Sequence, residues 1–241
     1  MKEENEKLLG VIGGMGPLAT QLFYKMIIEN TEAHCDQDHL NMIVFSHASM
    51  PDRTDAILRN DTAHLYEKLL ADAKSLEDLG VDFIAIPCNT SHYFVEKMQD
   101  EISIPIINMI TETVKTIEIN KKVGILATDG TIKTGLYQNA CMQRGLVPLV
   151  PTLDSQKLVM KIIYEGIKDG GEIDFEDFKI IEDELKMQGC DCVIMACTEL
   201  SCFKDRYQLG DYYIDAMNVL SKRALLYCGK ELKQKAFGGE Q

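Results

Sequence analysis

A chain of 241 residues, 46% hydrophobic and 26% charged, has the make-up of a globular protein long enough for one large domain or two small ones. Its formal net charge of −13, with no stripe of Lys and Arg interleaved with aromatics, would repel a phosphate backbone, so nucleic acid is not an expected partner. Eight cysteines are too few for a secreted disulfide scaffold; with an acidic N-terminus and an apolar run far shorter than a membrane span, they point to a cytoplasmic protein that carries thiols and has no membrane partner.

In chain order, short β-branched runs occur at Leu8–Gly13, Asn41–Phe45, Val81–Pro87 and Pro105–Ile110, then at Lys122–Thr128, Leu146–Val150, Cys190–Ala196 and Tyr212–Ile214. Amphipathic stretches lie between them, a rhythm that predicts parallel sheets covered by helices. The clearest crossover helix starts on a cap-competent Asp61, places Leu65, Leu69, Leu70, Ala73, Leu76 and Leu79 on one face, and stops at Gly80. The segment Gly166–Asp174 reads as a loop between two helical patterns.

The chain also repeats itself. Leu9–Tyr24 set against Val123–Gln138 pairs Gly10 with Gly124, Gly16 with Gly130 and Thr20 with Thr134, an offset of 124 − 10 = 114. Gly80–Ser91 set against Gly189–Leu200 pairs Gly80 with Gly189, Asp82 with Asp191 and Cys88 with Cys197, an offset of 197 − 88 = 109. Shared order and strand context at nearly equal offsets predict two copies of one α/β plan. The expected architecture is therefore two similar Rossmann-like α/β domains with mostly parallel sheets, related by a pseudo-two-fold axis, with the active site in the cleft between them. Residues 1–115 plus 215–241 form the first domain, to which the C-terminal helix returns, and 116–214 form the second.

Such symmetry would bring Cys88 and Cys197, each ending a strand, face to face across the cleft. Ligands of parallel sheets bind at the carboxyl ends of strands, where helix N-termini favour negative charge and thiolates. Two opposed thiols, one ionised and one protonated, suit inversion at a carbon: a base removes a proton from one face and an acid returns one to the other.

The motifs "GGMGP", "MPDRT", "PCNTSH", "LATDGT", "IIYEGIKDG" and "ACTEL" occur in the order seen in the aspartate/glutamate racemases, the cofactor-independent amino-acid racemases, and the chain resembles that family over nearly its whole length. The resemblance implies that Cys88 and Cys197 are the paired catalytic bases, and that Arg53 and Lys168 bind the substrate carboxylates. It implies a small acidic amino acid as substrate, aspartate before glutamate, with no pyridoxal phosphate, metal or nucleotide cofactor. The expected assembly is a homodimer. One departure is Met195-Ala196 before the second cysteine, where Leu-Gly is commoner in the family.

A lone cysteine at a strand end is ordinarily a small buried apolar group, and only the duplicated context sets Cys88 and Cys197 apart. Cys190 and Cys192, two apart on one strand, read as core on a single face. With Cys197 and Cys202 they lack the paired knuckles of a zinc site, and His34, Cys35 and His39 read as a surface loop. Arg53 on its own would be a solvated loop residue, and Lys168 a cation at a helix C-terminus. A strongly acidic protein that binds a dicarboxylate must nevertheless gather positive charge in its cleft, and a guanidinium suits bidentate carboxylate recognition. Asn89, Thr90 and Thr198 follow the cysteines as helix caps or as donors to substrate. Met15 sits in the first glycine loop, Thr128 in the matching place of the second copy, and Glu199 orients a neighbour or favours its helix N-terminus.

Two other classes stay open. Gly14-Met15-Gly16-Pro17-Leu18-Ala19 fits G-x-G-x-x-A after a strand, the mark of a dinucleotide-dependent oxidoreductase, although no acid for a ribose ends the second strand. A non-catalytic sensor of acidic amino acids would use the same cleft. A one-cysteine decarboxylase on the same fold is disfavoured by the presence of both cysteines.

Overall fold

The computed structural model describes residues 6–234. The acidic stretch 1–5 and the tail 235–241, both assigned above to the first domain, lie outside these residues. The first half runs β1 (Leu8–Gly13), α1 (Pro17–Asn30), β2 (Asn41–Ser46), α2 (Arg53–Arg59), α3 (Ala63–Asp78), β3 (Phe83–Ala85), α4 (Val95–Gln99) and α5 (Met109–Lys115). The second runs β4 (Lys122–Ala127), α6 (Asp129–Thr134), α7 (Leu136–Gln143), β5 (Val147–Leu149), α8 (Leu153–Lys161), a π-helical stretch Ile162–Lys168, α9 (Phe175–Met187), β6 (Cys192–Ala196), α10 (Thr198–Tyr207), β7 (Tyr213–Asp215) and α11 (Ala216–Tyr227).

The strands form two parallel sheets, ordered β2-β1-β3 and β5-β4-β6-β7. The first three strands of the two sheets correspond one to one, and the repeat extends to single hydrogen bonds. Asp82 accepts the Leu8 amide and Asp191 accepts the Lys122 amide, each through Oδ2 at 2.7 Å. Each of these carboxylates also pairs with the lysine just before the central strand, Lys7 at 3.2 Å and Lys121 at 3.5 Å. Gly80 and Gly189 end α3 and α9 with φ of 74° and 79°, a left-handed conformation that a side chain would strain. Gly10 and Gly124 let those helices approach the central strands: a Cβ would come within 3.0 Å of Leu76 in the first sheet and 3.2 Å of Leu185 in the second.

Alternation along the strands divides the core. Leu9 and Val11 of β1, with Val123, Ile125 and Ala127 of β4 and Ile194 and Ala196 of β6, join α1, α5 and α11 in one apolar cluster shared by both sheets. The opposite faces carry separate clusters, one built on Ile12, Ile84 and α3, the other on Leu126, Val193, Met195 and α9. The last helix, α11, packs on α1 and α5, and the expected domain boundary at 214/215 falls inside β7.

Several expectations are corrected. Pro105–Ile110 is not a strand: Ile106 makes an isolated parallel bridge with Ile84, and Asn108 then accepts the Thr111 amide and caps α5. The crossover helix begins after Thr62 rather than on Asp61, and Leu79 ends it exposed. The first three residues of the expected Gly166–Asp174 loop belong to the π-helical stretch. Cys190 precedes its strand, so it packs against Leu185 and Val193 while Cys192 lies against the shared core, and the two do not share a face. All eight cysteines are free thiols. Among the described residues no group of His, Cys, Asp and Glu could hold a metal, and no helix is long and apolar enough to cross a membrane.

Candidate active site

Both strand-end cysteines reach one cavity at the carboxyl ends of the two sheets. Cys197 directly follows β6, and Cys88 lies three residues past β3, where its amide donates to the Ile86 carbonyl at 2.7 Å. The other candidate site residues line the same cavity: Met15, Arg53, Asn89 and Thr90 from the first half, Thr128, Lys168, Thr198 and Glu199 from the second. The space is narrow, about 260 Å³ with the solvent at its mouth included.

Arg53 is the first residue of α2, not part of a solvated loop. Its Nη1 donates to the Pro51 carbonyl at 3.1 Å and its Nη2 to the Met15 carbonyl at 3.2 Å, while Nε is buried and makes no hydrogen bond. Burial opposes its charge, but Cys88, Asp52 and Glu199 close by more than compensate, and the guanidinium is held more firmly protonated than usual. Lys168 ends the π-helical stretch, 3.6 Å from Asp52 Oδ2, with Nζ 3.9 Å from the centre of the Tyr164 ring. It too is desolvated, yet Glu199, Tyr164, Cys197 and Asp52 raise its pKa.

The small polar residues are not side-chain caps. Asn89 Oδ1 accepts the Tyr137 hydroxyl at 2.5 Å, and its Nδ2 is buried without a partner. Thr90, Thr128 and Thr131 form a triangle of hydroxyls at 2.9 to 3.2 Å that joins the two halves. Thr128 is the exception, since it also caps α6 by accepting the Thr131 amide. Thr198 donates to Glu199 Oε2 at 3.2 Å, and the Cys197 thiol donates to the same oxygen at 3.0 Å. Burial first, then the Glu199 charge and that hydrogen bond, push the Cys197 thiol well above its ordinary value.

Sequence reasoning left out Asp52, which caps α2 through the Asp55 amide and accepts from Tyr164. Burial opposes its charge, but the Asp55 amide, Lys168 and Arg53 prevail and lower its pKa. It also left out His92, whose Nδ1 bonds the Cys88 carbonyl at 2.9 Å while Nε2 accepts the Met109 amide at 3.0 Å. Burial lowers His92 to about 4, so the ring is neutral, with its proton on Nδ1, and fixes the backbone carrying Cys88. The signal for Asp52 was its place as a cap-competent residue beside Arg53, and that for His92 its place at the end of the PCNTSH motif.

The first glycine behind the dinucleotide reading has a structural cause: a Cβ on Gly14, at φ 85°, would lie 2.4 Å from the His47 amide nitrogen, so close packing of the loop after β2 accounts for it. The second, Gly16, is under no such demand, since a Cβ there would meet only Glu199 Oε1 at 3.6 Å, an ordinary contact.

A family model described as Asp/Glu/Hydantoin racemase matches residues 12–224. The chain belongs to this family. Racemases are isomerases, and the chain is an amino-acid racemase by that membership. It is 29% identical over 222 residues to the broad specificity amino-acid racemase RacX of Bacillus subtilis, covering 89% of this chain and 95% of the relative. It is 33% identical over 155 residues to the glutamate racemase of Aquifex pyrophilus, covering 61% of this chain and 58% of that protein. The structure of Picrophilus torridus aspartate racemase superposes with a TM-score of 0.78 at 28% identity, over 94% of this chain and 96% of the other.

Proposed function

We propose that this chain interconverts the L and D enantiomers of an acidic amino acid, aspartate first and glutamate second, by two-base proton transfer between Cys88 and Cys197. The observation that carries this reading is the union, in one cavity, of two thiols from equivalent strand ends with two buried unpaired donors, Arg53 Nε and Asn89 Nδ2. Buried donors are nearly always satisfied, so a pair left free beside reactive thiols awaits an acceptor such as a substrate carboxylate. The proposed route uses no pyridoxal phosphate, metal or nucleotide. The proposal also includes a cytoplasmic homodimer and the division into 1–115 plus 215–241 and 116–214.

In this mechanism Cys197, hydrogen-bonded to Glu199, carries the proton, and Cys88, facing Arg53, acts as the base. The Cys88 thiolate takes the Cα proton from one face, and the Cys197 thiol gives its own proton to the other. The enzyme is left with a Cys88 thiol and a Cys197 thiolate, the form that runs the reverse inversion. Carbanionic charge on the substrate is met by Arg53, Lys168 and Asn89 in a site closed to water. Substrate binding requires the walls to part, because the enclosed part of the cavity has room for about one water.

Incubation with each L-amino acid followed by chiral chromatography tests the reading directly. In heavy water, D-aspartate formed from L-aspartate should carry deuterium at Cα while early unreacted L-aspartate stays largely protiated. Scrambling of both pools would indicate one base serving both faces and overturn the two-base scheme. A second reading has an observation in its favour: Asp52 already stands 3.6 Å from Lys168. If that ion pair persists in the complex, no cation remains for a side-chain carboxylate, and neutral amino acids would turn over, in keeping with the broad specificity named for the RacX relative.

The rate should be bell-shaped in pH, because one thiolate and one thiol are needed together, with apparent values that belong to the coupled pair. Glu199→Gln keeps an acceptor for Cys197 but removes the negative charge that raises its pKa. The thiol then loses its proton more readily, so the descending alkaline limb should move to lower pH. An unmoved limb would remove Glu199 from control of Cys197.

A further inference from the structure

Tyr137 lies on α7, near the end of the repeat segment Val123–Gln138 and outside the racemase-like motifs, and its side chain is completely buried. In the internal repeat it corresponds to Phe23, at 137 − 23 = 114, the offset that pairs Gly10 with Gly124. Phe23 is 1% exposed, and both rings belong to the core shared by the two sheets. Packing at this place is therefore met by an aromatic ring alone, and the hydroxyl of the second copy needs another reason.

That hydroxyl donates to Asn89 Oδ1 at 2.5 Å, across the junction of the two halves. Burial raises the Tyr137 pKa far above its ordinary value, so the phenol keeps its proton and remains a donor. A carboxamide that accepts on Oδ1 must present Nδ2 in the opposite direction. Nδ2 of Asn89 is buried and unpartnered, on a residue that lines the cavity beside Cys88 and Arg53.

We propose that Tyr137 is a positioning residue that fixes the orientation of the Asn89 amide, so that its N–H₂ edge faces the substrate carboxylate when the two halves close on it. The inference rests on the amino-acid racemase reading of this cavity. Without the hydroxyl the amide can rotate, its oxygen can face the cavity, and a carboxylate then meets an acceptor where it needs a donor.

The test combines kinetics with a signal independent of turnover. For Tyr137→Phe, Asn89→Ala and the double variant, KM and kcat for L-aspartate are read by chiral chromatography. The side-chain amide of Asn89 is followed by ¹⁵N NMR in wild type and Tyr137→Phe as aspartate is added. Tyr137→Phe should raise KM about tenfold with a smaller fall in kcat, the size of a lost carboxylate hydrogen bond. The double variant should be no worse than Asn89→Ala, because the hydroxyl acts only through that amide. Aspartate should shift the Asn89 amide signal in wild type and leave it unmoved in Tyr137→Phe.

An unchanged KM in Tyr137→Phe, or losses that multiply in the double variant, would overturn the inference while leaving the racemase reading intact. A wild-type protein that racemises nothing, yet shows the aspartate shift only when Tyr137 is present, would sink the activity and keep the positioning role. An Asn89 signal that ignores aspartate in wild type would overturn the positioning role. Should Tyr137→Phe fail to fold, Asn89→Ala with a wild-type KM would defeat the proposal on its own.

Discussion

Cys88→Ser and Cys197→Ser will each cut racemisation by roughly 10²–10⁴-fold, the range for loss of a general acid or base. A hydroxyl is a far weaker acid than a thiol, so serine can neither stand ready as an anion nor return a proton at a useful rate. Both cysteines are about 5% exposed and serine is slightly smaller, so the fold should persist, and melting curves check that it does. Cys35→Ser, on the exposed loop after α1, serves as the control and should leave the rate unchanged.

The pair should also fail in different ways. With Cys88 intact, Cys197→Ser can still remove and return a proton on one face, exchanging Cα–H of one enantiomer with heavy water without inversion. Cys88→Ser should exchange the other enantiomer. Full racemisation by either variant would refute the two-base scheme, and identical exchange by both would refute the placing of one thiol on each face.

What the sequence revealed depended on whether a residue's role is local. The central strands Leu8–Gly13 and Lys122–Ala127 are local patterns, apolar and β-branched with lysine at their edges, and both were legible within a residue. The repeat was legible because Gly80 and Gly189, or Asp82 and Asp191, answer the same local demand in each copy, a left-handed helix end or an amide at the start of the next strand. Pro105–Ile110 misled because its composition suits a strand while its partner Phe83–Ala85 is only three residues long, and Asn108 draws the chain into α5.

The cavity was legible in its thiols and cations, since a motif can mark a residue type that chemistry needs. Its geometry was not. That Asp52 stands 3.6 Å from Lys168 and that Tyr137 reaches Asn89 from 48 residues away are products of the closure of two halves, and the hydrogen bond from the Cys197 thiol to Glu199, though local, depends on how both side chains turn into the cavity. Only the Tyr137 contact left a trace, a hydroxyl added to a core aromatic in one copy of the repeat.

Arg53→Leu should lower kcat/KM for aspartate by about 10²–10³-fold, the loss found when a desolvated charged donor is removed from a developing negative charge. The guanidinium is held on both sides, by the carbonyls of Pro51 and Met15 through its two terminal nitrogens, which leaves Nε as the edge still free to bind. Leucine fills part of the volume but leaves those two carbonyls without their donor and Asp52 without one of its two neighbouring cations. The Asp52 charge then acts against a carboxylate substrate, so the loss should exceed that of a single neutral hydrogen bond. Stability should fall by about 1–3 kcal/mol for the unpaired carbonyls, more than an exposed loop cation would lose. Arg53→Lys separates charge from shape: one ammonium cannot serve both carbonyls and the substrate at the same time, so it should recover part of the activity and not all of it. Steady-state kinetics on the three proteins, with thermal melting beside them, decide the matter: if Arg53→Leu turns over aspartate at the wild-type kcat/KM, the residue has no part in substrate binding.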